Sequence, residues 1–300
     1  MNFKAKAKTL LLSASLVIGA IAVARFCHHQ TEGFRLTKVQ SNFIEKMPVI
    51  STEADKAFID ALLQQKFIFL GRGLQSFVFA SQDGEYVVKV FNNRYQRKIA
   101  LFTFFSYFPW IGHWAKEQAA YYQGKLIKTF NSYRIAFDEM KDKTALVYVH
   151  LLPTTDLSEK LTLVDKLNIS HQLDPNQIGF LVQKRAKLAF PTLKEYVNKN
   201  DLEGAKHAIS SLLDLFFWKW RHAILDNDPL IRTNYGFIDG DAVQIDVGPL
   251  SKGSDPLDQD QQRQEILRIT SSLKFWLTEN RPELIPFLDR ELQQQLSSEE

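Results

Sequence analysis

Oxygen-bearing side chains between apolar segments mark the part of the chain best suited to chemistry. Asp226, Asp228 and Asn234 precede a predicted strand, and Asp246 follows a second one after a turn at Gly240. These strands predict a hairpin with polar groups at its open end. Phosphoryl transfer from Mg-ATP needs such a set, because one Asp orients the attacking hydroxyl while an Asn and another Asp hold the metal. The same residue types are also ordinary turn formers.

A glycine-containing turn and a strand that carries a lysine lie upstream. Gly71 and Gly73 separate two predicted strands, and the second strand turns at Asp83-Gly84 into a third that contains Lys89. Glycines let the backbone lie close to phosphates and present its N–H groups to them. Lys89 lies between two valines, so it faces the opposite side of its strand and needs a partner there. A plain hairpin would also explain the glycines.

Taken in order, these segments resemble the motifs of the protein-kinase-like superfamily. That family has Gly-x-Gly-x-x-Gly-x-Val, then a Val-Ala-x-Lys strand, then His-Arg-Asp-x-x-x-x-Asn and Asp-Phe-Gly. Residues 71–78 match the first motif with Ser76 at the third glycine position, and residues 87–89 match the second. Residues 246–248 match the last motif, with Val in place of Phe.

The resemblance implies that ATP binds between these segments. The glycine turn would cover the phosphates and Lys89 would hold them, with Glu117 as its expected partner and Glu139 as the alternative. Residues 179–186 resemble the strand and hinge that carry the adenine. The residues expected around the nucleotide are therefore Gly71, Gly73, Ser76, Lys89, Glu117, Gln183 and Arg185.

Catalytic roles follow from the same resemblance. Asp228 would accept the hydroxyl proton, Arg232 would neutralise charge on the transferred phosphoryl group, and Asn234 with Asp246 would bind Mg²⁺. Two departures stand out. Five residues separate Asp228 from Asn234 where the family has four, and no His-Arg pair precedes Asp228. Asp226 is therefore a competing candidate for the base.

The resemblance further implies an α+β, two-lobed protein-kinase-like fold. An antiparallel-sheet N-lobe would span residues 51–186, with an aromatic insertion at 92–114, and a small helical C-lobe would span 187–300. The chain has no Ala-Pro-Glu motif after residue 248, so an atypical or reduced member is the better comparison.

Composition is compatible with this size and class. A chain of 300 residues that is 45% hydrophobic can bury one large or two-lobed core. Its 37 basic and 34 acidic residues are too balanced to favour nucleic acid as the main partner. Cys27 is the single cysteine, which excludes an intramolecular disulfide.

Residues 1–27 predict a signal peptide or a membrane anchor. Three lysines precede an apolar run from Leu10 to Ala24, which is short for a spanning helix unless it continues through Cys27. A polar tether, residues 28–50, is expected to follow. The protein is thus expected to be membrane-anchored or exported. The positive-inside rule favours a domain outside the cytoplasm, which conflicts with ATP chemistry.

A second apolar segment lies between the lysine strand and the following helix. Residues 99–112 are uncharged and rich in aromatic side chains, and Arg94, Arg97 and Lys98 come just before them. Such a segment suits the membrane interface, where rings lie at headgroup depth and cations meet anionic lipid. The alternative is a helix packed between lobes. Lipid contact is therefore expected through residues 1–24 and also through 94–112.

Two classes of function compete. The first is a membrane-associated, atypical ATP-dependent phosphotransferase that acts on a hydroxyl acceptor. The second is a catalytically inactive pseudokinase that binds nucleotide or a partner at the membrane, which the missing His-Arg pair and the altered loop length favour. A structural membrane-associated protein without nucleotide is a third interpretation.

Overall fold

A seven-stranded mixed sheet dominates the first two thirds of the chain. The computed structural model describes residues 3–40, 56–248 and 250–297. The strands of the large sheet are β1 (Lys66–Arg72), β2 (Ser76–Ser81), β3 (Tyr86–Phe91), β4 (Leu146–His150), β5 (Leu161–Val164), β6 (Ser170–Leu173) and β7 (Phe180–Lys184). Their order is β4-β7-β3-β2-β1-β5-β6. Neighbours are antiparallel except β1 and β5, which are parallel.

Alternation along β3 decides which side chains face each layer. Val88 and Val90 are buried in a core with Phe67, whereas Lys89 points to the opposite face. The turn before β3 takes a positive φ of 83° at Gly84, which glycine adopts at low cost. The face that carries Lys89 packs farther along against a helix, through Phe91. The large sheet therefore presents the lysine toward a different layer from its main apolar core.

Two smaller sheets, eleven α-helices and two short 3-10 helices complete the described residues. The remaining strands are β8 (Lys187–Leu188), β9 (Ile224–Asp226), β10 (Tyr235–Ile238), β11 (Asp241–Gln244) and β12 (Leu250–Lys252). They form the sheets β11-β10-β8 and β12-β9. The helices are α1 (Phe3–Gln30), α2 (Leu36–Val39), α3 (Lys56–Leu63), α4 (Arg94–Phe105), α5 (Gly112–Asp138), α6 (Lys141–Thr144), α7 (Ala189–Asn198), α8 (Leu202–Arg221), α9 (Ile231–Asn234), α10 (Gln259–Asn280) and α11 (Ile285–Ser297).

The C-terminal helices form a core of their own around α8. Asp201 caps α8 by accepting from the backbone N–H of Gly204 at 2.9 Å. Apolar side chains then recur every three or four residues, as Ile209, Leu212 and Phe216 show, and they are fully buried. They pack with the apolar faces of α7, α10 and α11. The same core includes Tyr235 and Phe237 of β10 and Ala242 of β11, so the helices hold the β10–β11 hairpin in place.

Helices α4 and α5 form an antiparallel hairpin where the aromatic insertion was predicted. The turn between them spans residues 106–111, and α5 continues unbroken to Asp138. Its second half packs on the large sheet through Phe130 and Tyr133, whereas the hairpin tip is exposed. The aromatic segment is therefore a projecting hairpin end and does not fill a space between layers.

The N-terminal segment combines an exposed helix with a packed continuation. Within the described residues, one helical stretch, Leu12–Gln30, is long and apolar enough to cross a membrane, as signal sequences and anchors both are, and none of it is buried. The described part of the predicted tether packs on the domain, because Phe34 and Val39 are buried against the large sheet. The centroid of the Phe34 ring lies 5.2 Å from that of Phe77 and 5.4 Å from that of Phe79. Residues 41–55 lie outside the described part of the chain.

Candidate functional site

Asp226 lies at the centre of a buried polar network, directly before the loop of residues 227–230 that contains Asp228. Its Oδ2 accepts hydrogen bonds from the Tyr235 hydroxyl at 2.5 Å, from Gln244 Nε2 at 2.8 Å and from Lys219 Nζ at 3.2 Å. Lys219 also donates to the Tyr235 oxygen at 2.6 Å and to Gln244 Oε1 at 3.0 Å. The other carboxylate oxygen of Asp226 accepts from the backbone N–H of Asp228 at 3.0 Å. Both carboxylate oxygens of Asp226 are therefore used in hydrogen bonds that hold the loop in place.

Burial controls the ionisation of the groups in this network. Lys219 is only 1% exposed, and burial lowers its pKa while the charge of Asp226 opposes that change. Burial, followed by the negative charge of Asp226, raises the pKa of Tyr235 well above its usual value. Tyr235 therefore stays protonated and donates to the carboxylate.

Asp228 and Asn234 both follow Asp226 in the chain, and Asn234 is buried. Asp228 is exposed, and its backbone carbonyl accepts from Asn234 Nδ2 at 2.6 Å. The Asn234 carbonyl in turn accepts from the backbone N–H groups of Ile245 at 2.8 Å and of Asp246 at 3.3 Å. Asn234 and Asp246 are therefore joined through the backbone, although twelve positions separate them in the sequence.

Asp246 begins the segment that follows β11. Its Oδ1 accepts from the Gly248 N–H at 3.1 Å, and its carbonyl accepts from Gln244 Nε2 at 2.9 Å. Gln244 thereby links the Asp246 backbone to the buried Asp226 network. The neighbouring Val247 is buried, and its carbonyl accepts from the Ser132 hydroxyl of α5. This segment is held from the hairpin side and from α5.

Lys89 reaches this segment from the large sheet. It pairs in register with Val78 of β2 and Leu181 of β7, and its Nζ donates to the carbonyl of Ile245. Burial lowers the pKa of Lys89, and the negative charge of Asp246 opposes that shift. The structure thus brings Lys89 and Asp246, predicted from separate motifs, into one site.

The glycine turn extends toward the same segment. Gly73 donates its N–H to the Ser76 carbonyl at 2.8 Å, which closes the turn between β1 and β2. Asn92 fixes the turn from the end of β3, donating its N–H to the Gln75 carbonyl at 2.9 Å and its Nδ2 to the Leu74 carbonyl at 3.0 Å. Gln75 Nε2 would lie 4.0 Å from a Cβ placed on Gly248. The turn therefore approaches the Asp246 segment.

The expected hinge joins the large sheet to the β10–β11 hairpin. A Cβ on Gly236 of β10 would lie 2.5 Å from the Lys187 carbonyl oxygen, so only glycine permits this approach. Gln183 is buried and donates to the Thr144 carbonyl at 2.8 Å, while its Oε1 has no hydrogen-bond partner among the described residues. The Arg185 guanidinium lies beside Gly84, at the β2–β3 turn. The backbone of this segment is near the site, but the Arg185 side chain points to that turn.

The structure does not pair Lys89 with either expected glutamate. Glu117 is 62% exposed and forms an ion pair with His113 at 3.3 Å, and Glu139 pairs with Lys252. The insertion explains the difference, because it places Glu117 in the second turn of α5. The α5 residue that touches the loop is Ser132, about 22 Å farther along the helix at 1.5 Å per residue.

Tyr133 is a second α5 residue near the site that the sequence did not single out. Its ring stacks on Phe91 at 4.9 Å, and burial, aided by the charges of Asp246 and Tyr95, raises its pKa. Helix α5 thus supplies a hydroxyl and an aromatic ring to this region, where a carboxylate was expected.

Arg232 points away from the Lys89 region. Its guanidinium lies over the Phe190 ring at 5.4 Å, and Phe190 stacks on Trp276 at 5.7 Å. These side chains line an open groove of about 630 Å³ together with Lys194 and Asn198. Within the described residues, no three His, Cys, Asp or Glu side chains are close enough to hold a metal ion.

Comparisons with known proteins leave the chain without an assigned family. No protein-family model matches it, and no curated protein matches it by sequence. Among solved structures, the complex of Rv3197 with erythromycin from Mycobacterium tuberculosis is 11% identical, with a TM-score of 0.33. The match covers 77% of this chain and 67% of that one. At this level of similarity the neighbour carries no argument about fold or function.

Proposed function

We propose that this chain is an atypical, protein-kinase-like, ATP-dependent phosphotransferase that acts on a hydroxyl acceptor. The observation that carries the proposal is the contact between Lys89 and the Asp246 segment. The Lys89 amine donates to the Ile245 carbonyl and lies in the field of Asp246. A cation suited to phosphates and a carboxylate suited to Mg²⁺ thus occupy one site, beside a glycine turn.

Asn234 and Asp246 fit a magnesium ion by donor chemistry. Mg²⁺ prefers oxygen ligands and is commonly held by one or two protein groups plus substrate phosphates. Asn234 uses its Nδ2 on the Asp228 carbonyl, and in the described chain its Oδ1 accepts no hydrogen bond. Asp246 is exposed and uses only Oδ1 in hydrogen bonding within the same residues. When bound, Mg²⁺ would neutralise charge on the phosphate oxygens.

The protein's own packing does not require glycine in the turn over the site. Neither Gly71 nor Gly73 has a positive φ. A Cβ on Gly71 would meet no atom within 4 Å, and one on Gly73 would meet only Ser76 atoms, at 3.8 and 3.9 Å. Close approach of a phosphate gives a physical reason for both glycines, because a side chain would occupy the space that the phosphate needs.

We expect Gly73→Ala to weaken ATP binding at least about fivefold, which corresponds to about 1 kcal/mol. The melting temperature should stay unchanged, because the added methyl group finds room in the folded protein. Calorimetric titration of the full chain with Mg-ATP measures the affinity. Gly124→Ala on α5 is the matched control, since its Cβ also meets no atom within 4 Å. Equal affinities for the two variants would contradict a phosphate at the turn.

Asp228 is the group that we assign as the base. Its backbone N–H and carbonyl are held by Asp226 and Asn234, while its exposed carboxylate is not used in these contacts. In the reaction, the acceptor oxygen attacks the γ-phosphorus as its proton passes to the Asp228 carboxylate. The bond to the β–γ bridging oxygen breaks, and ADP leaves. Arg232 takes no part in this proposal, because its side chain lies over Phe190.

Substitution separates Asp228 from its competitor Asp226. Asp228→Ala should lower turnover by about 10²–10⁴-fold, the usual contribution of a general base, with little change in Tm. Asp226→Ala should lower Tm, because it leaves the buried Lys219 cation without its carboxylate. ATP turnover and thermal melting of the full chain in nanodiscs check both results. A stable, inactive Asp226→Ala protein beside a fully active Asp228→Ala protein would make Asp226 the base.

A nucleotide-binding pseudokinase is the second candidate, and one observation favours it. Within the described residues no carboxylate forms an ion pair with Lys89, whereas the active family uses a glutamate there. Mg-dependent ATP binding without ATP turnover or autophosphorylation by the full chain would support this candidate. No binding at all would rule out both nucleotide hypotheses.

A further inference from the structure

The tip of the α4–α5 hairpin exposes large aromatic side chains. Trp110 is 98% exposed and Tyr107 is 81% exposed, and Phe104 and Trp114 are also more than half exposed. The tip is nevertheless built, because Phe104 contacts Phe108 at 5.6 Å and Phe102 contacts Trp114 at 5.4 Å. Exposed apolar patches on a folded surface indicate an interaction site. Trp and Tyr are the residues enriched where a bilayer meets water.

The hairpin is also strongly cationic. No acidic residue occurs between Glu85 and Glu117, and Glu117 is paired with His113 at 3.3 Å. The basic residues between positions 94 and 128 are Arg94, Arg97, Lys98, Lys116, Lys125 and Lys128. Cations beside exposed rings fit an anionic lipid surface, where both groups find partners.

The base of the hairpin is fixed to the chain that leaves the apolar helix α1. Asn93, which precedes α4, is buried and donates Nδ2 to the Val39 carbonyl at 2.8 Å. Gln40 then forms a β-bridge with Ile178, beside the start of β7. Only eight residues lie between Gln30, the last residue of α1, and Val39. The apolar helix and the hairpin therefore start from one ordered neighbourhood.

Four cations cluster at this junction. Lys38 Nζ donates to the Gly33 carbonyl at 2.6 Å, and Arg72 Nη1 donates to the neighbouring Glu32 carbonyl at 3.1 Å. Burial lowers the pKa of Lys38, and the positive charges of Arg97, Arg35 and Arg72 lower it further. The neighbouring carboxylate, Glu32, forms an ion pair with Lys166 at 2.7 Å. Within the described residues none of the four cations forms an ion pair with a carboxylate. The cluster thus concentrates positive charge where the chain leaves a membrane-length helix.

We infer that the junction cations and the aromatic hairpin tip together bind a bilayer that contains anionic phospholipid. The cations Arg35, Lys38, Arg72 and Arg97 bind the headgroup phosphates, and Tyr107 and Trp110 insert at headgroup depth. The exposed apolar helix α1 is long enough to cross a bilayer, and cations without carboxylate partners match the negative surface of phosphatidylserine-type lipids. The inference is independent of the proposed enzyme activity.

A fluorescent probe at the hairpin tip tests this inference in the full chain. Cys27 is the single cysteine, so Cys27→Ser with Trp110→Cys gives one labelling site for a polarity-sensitive dye. Phe275→Cys, at a side chain 70% exposed on α10, is the matched control. The labelled protein is reconstituted into phosphatidylcholine vesicles with and without phosphatidylserine. Blue-shifted emission and shielding from iodide are expected for position 110 with phosphatidylserine, and neither is expected for position 275.

Removing two junction cations provides the second measurement. In the Arg72→Gln, Arg97→Gln double variant, the ratio of membrane-bound to unbound hairpin tip, reported by the dye at position 110, should fall about 30-fold. Each cation contributes roughly a fivefold change. Equal iodide quenching at positions 110 and 275 on both vesicles would overturn the inference. Shielding of position 110 that is equal without phosphatidylserine, or that persists in lipid-free protein, would also overturn it. Equal shielding without phosphatidylserine would exclude a role for the cations. Shielding in lipid-free protein would indicate that position 110 contacts protein.

Discussion

Asp246→Asn is expected to lower Mg-dependent ATP turnover at least about 100-fold while leaving the fold intact. A metal ion that offsets charge on phosphoryl oxygens stabilises the transition state by several kcal/mol, and each 1.36 kcal/mol is a tenfold change in rate. Asp246 is exposed, and its side chain accepts a hydrogen bond from the Gly248 N–H, which the amide oxygen of asparagine can also accept. Turnover assays of the full chain in nanodiscs measure the loss of activity, and a thermal melt checks that the fold is intact.

Asp241→Asn is the matched control for that experiment. Asp241 is an exposed aspartate on the same β10–β11 hairpin, and its carboxylate lies 3.6 Å from His207. The same chemical change there should leave turnover within about twofold of wild type, because an exposed ion pair contributes at most about 1 kcal/mol. If the Asp246 and Asp241 variants turned over ATP at the same rate, Asp246 would have no role with the metal.

Lys219→Met is expected to cause the largest loss of stability. Removing one partner of a buried ion pair costs about 3–5 kcal/mol, because the other charge stays buried without compensation. For a domain of this size such a loss lowers Tm on the order of 10 °C. The Asp226 carboxylate would keep its bonds from Tyr235 and Gln244 but lose its cation. Thermal melting of the full chain measures the shift.

Lys206→Met on the same helix controls for the loss of a lysine from α8. Lys206 lies at the surface, in an ion pair with Glu203 at 2.7 Å, and such pairs contribute about 0–1 kcal/mol. Combining Lys219→Met with Asp226→Asn should recover part of the lost stability, since no isolated charge then remains buried. Equal melting temperatures for the Lys219 and Lys206 single variants would contradict a structural role for the buried network.

Local signals allowed the sequence to predict the strands around the site. The Asp83-Gly84 turn and the turn at Gly240 both contain a glycine at positive φ, with φ of 83° and 95°. Alternation of buried valines around Lys89 is likewise a short-range pattern. Because these features depend on near neighbours in the chain, composition and spacing suffice to place them. The fold that they form is a mixed α+β structure with a seven-stranded sheet.

The buried network could not be predicted in the same way. Lys219 lies on the apolar face of α8 with Leu212, Leu215 and Phe216 and is buried, although helical spacing predicts an apolar residue at such a position. Its partners Asp226 and Gln244 come from β9 and β11, and only the packing of these strands on α8 brings the three together. Pairing across separate elements is a tertiary property that periodicity does not report.

The partner of Lys89 shows a different limit. Counting along the sequence placed Glu117 where the resemblance requires a glutamate, but the count did not include the rise of α5 beyond the inserted hairpin. The helix meets the Asp246 segment at Ser132, whose hydroxyl binds the Val247 carbonyl and accepts from the Leu250 N–H at 2.8 Å. An insertion changes which turn of a helix reaches a site, and residue type alone does not reveal that change.

Calorimetric titration of the wild-type full chain with ATP, with and without Mg²⁺, tests the central claim most directly. The claim is that Lys89, Asn234 and Asp246 form one Mg-nucleotide site. Saturable binding of one ATP per chain is expected in the presence of Mg²⁺, with affinity lower by about tenfold or more when EDTA replaces the metal. No heat of binding from correctly folded protein, or binding of equal affinity with and without Mg²⁺, would contradict the claim.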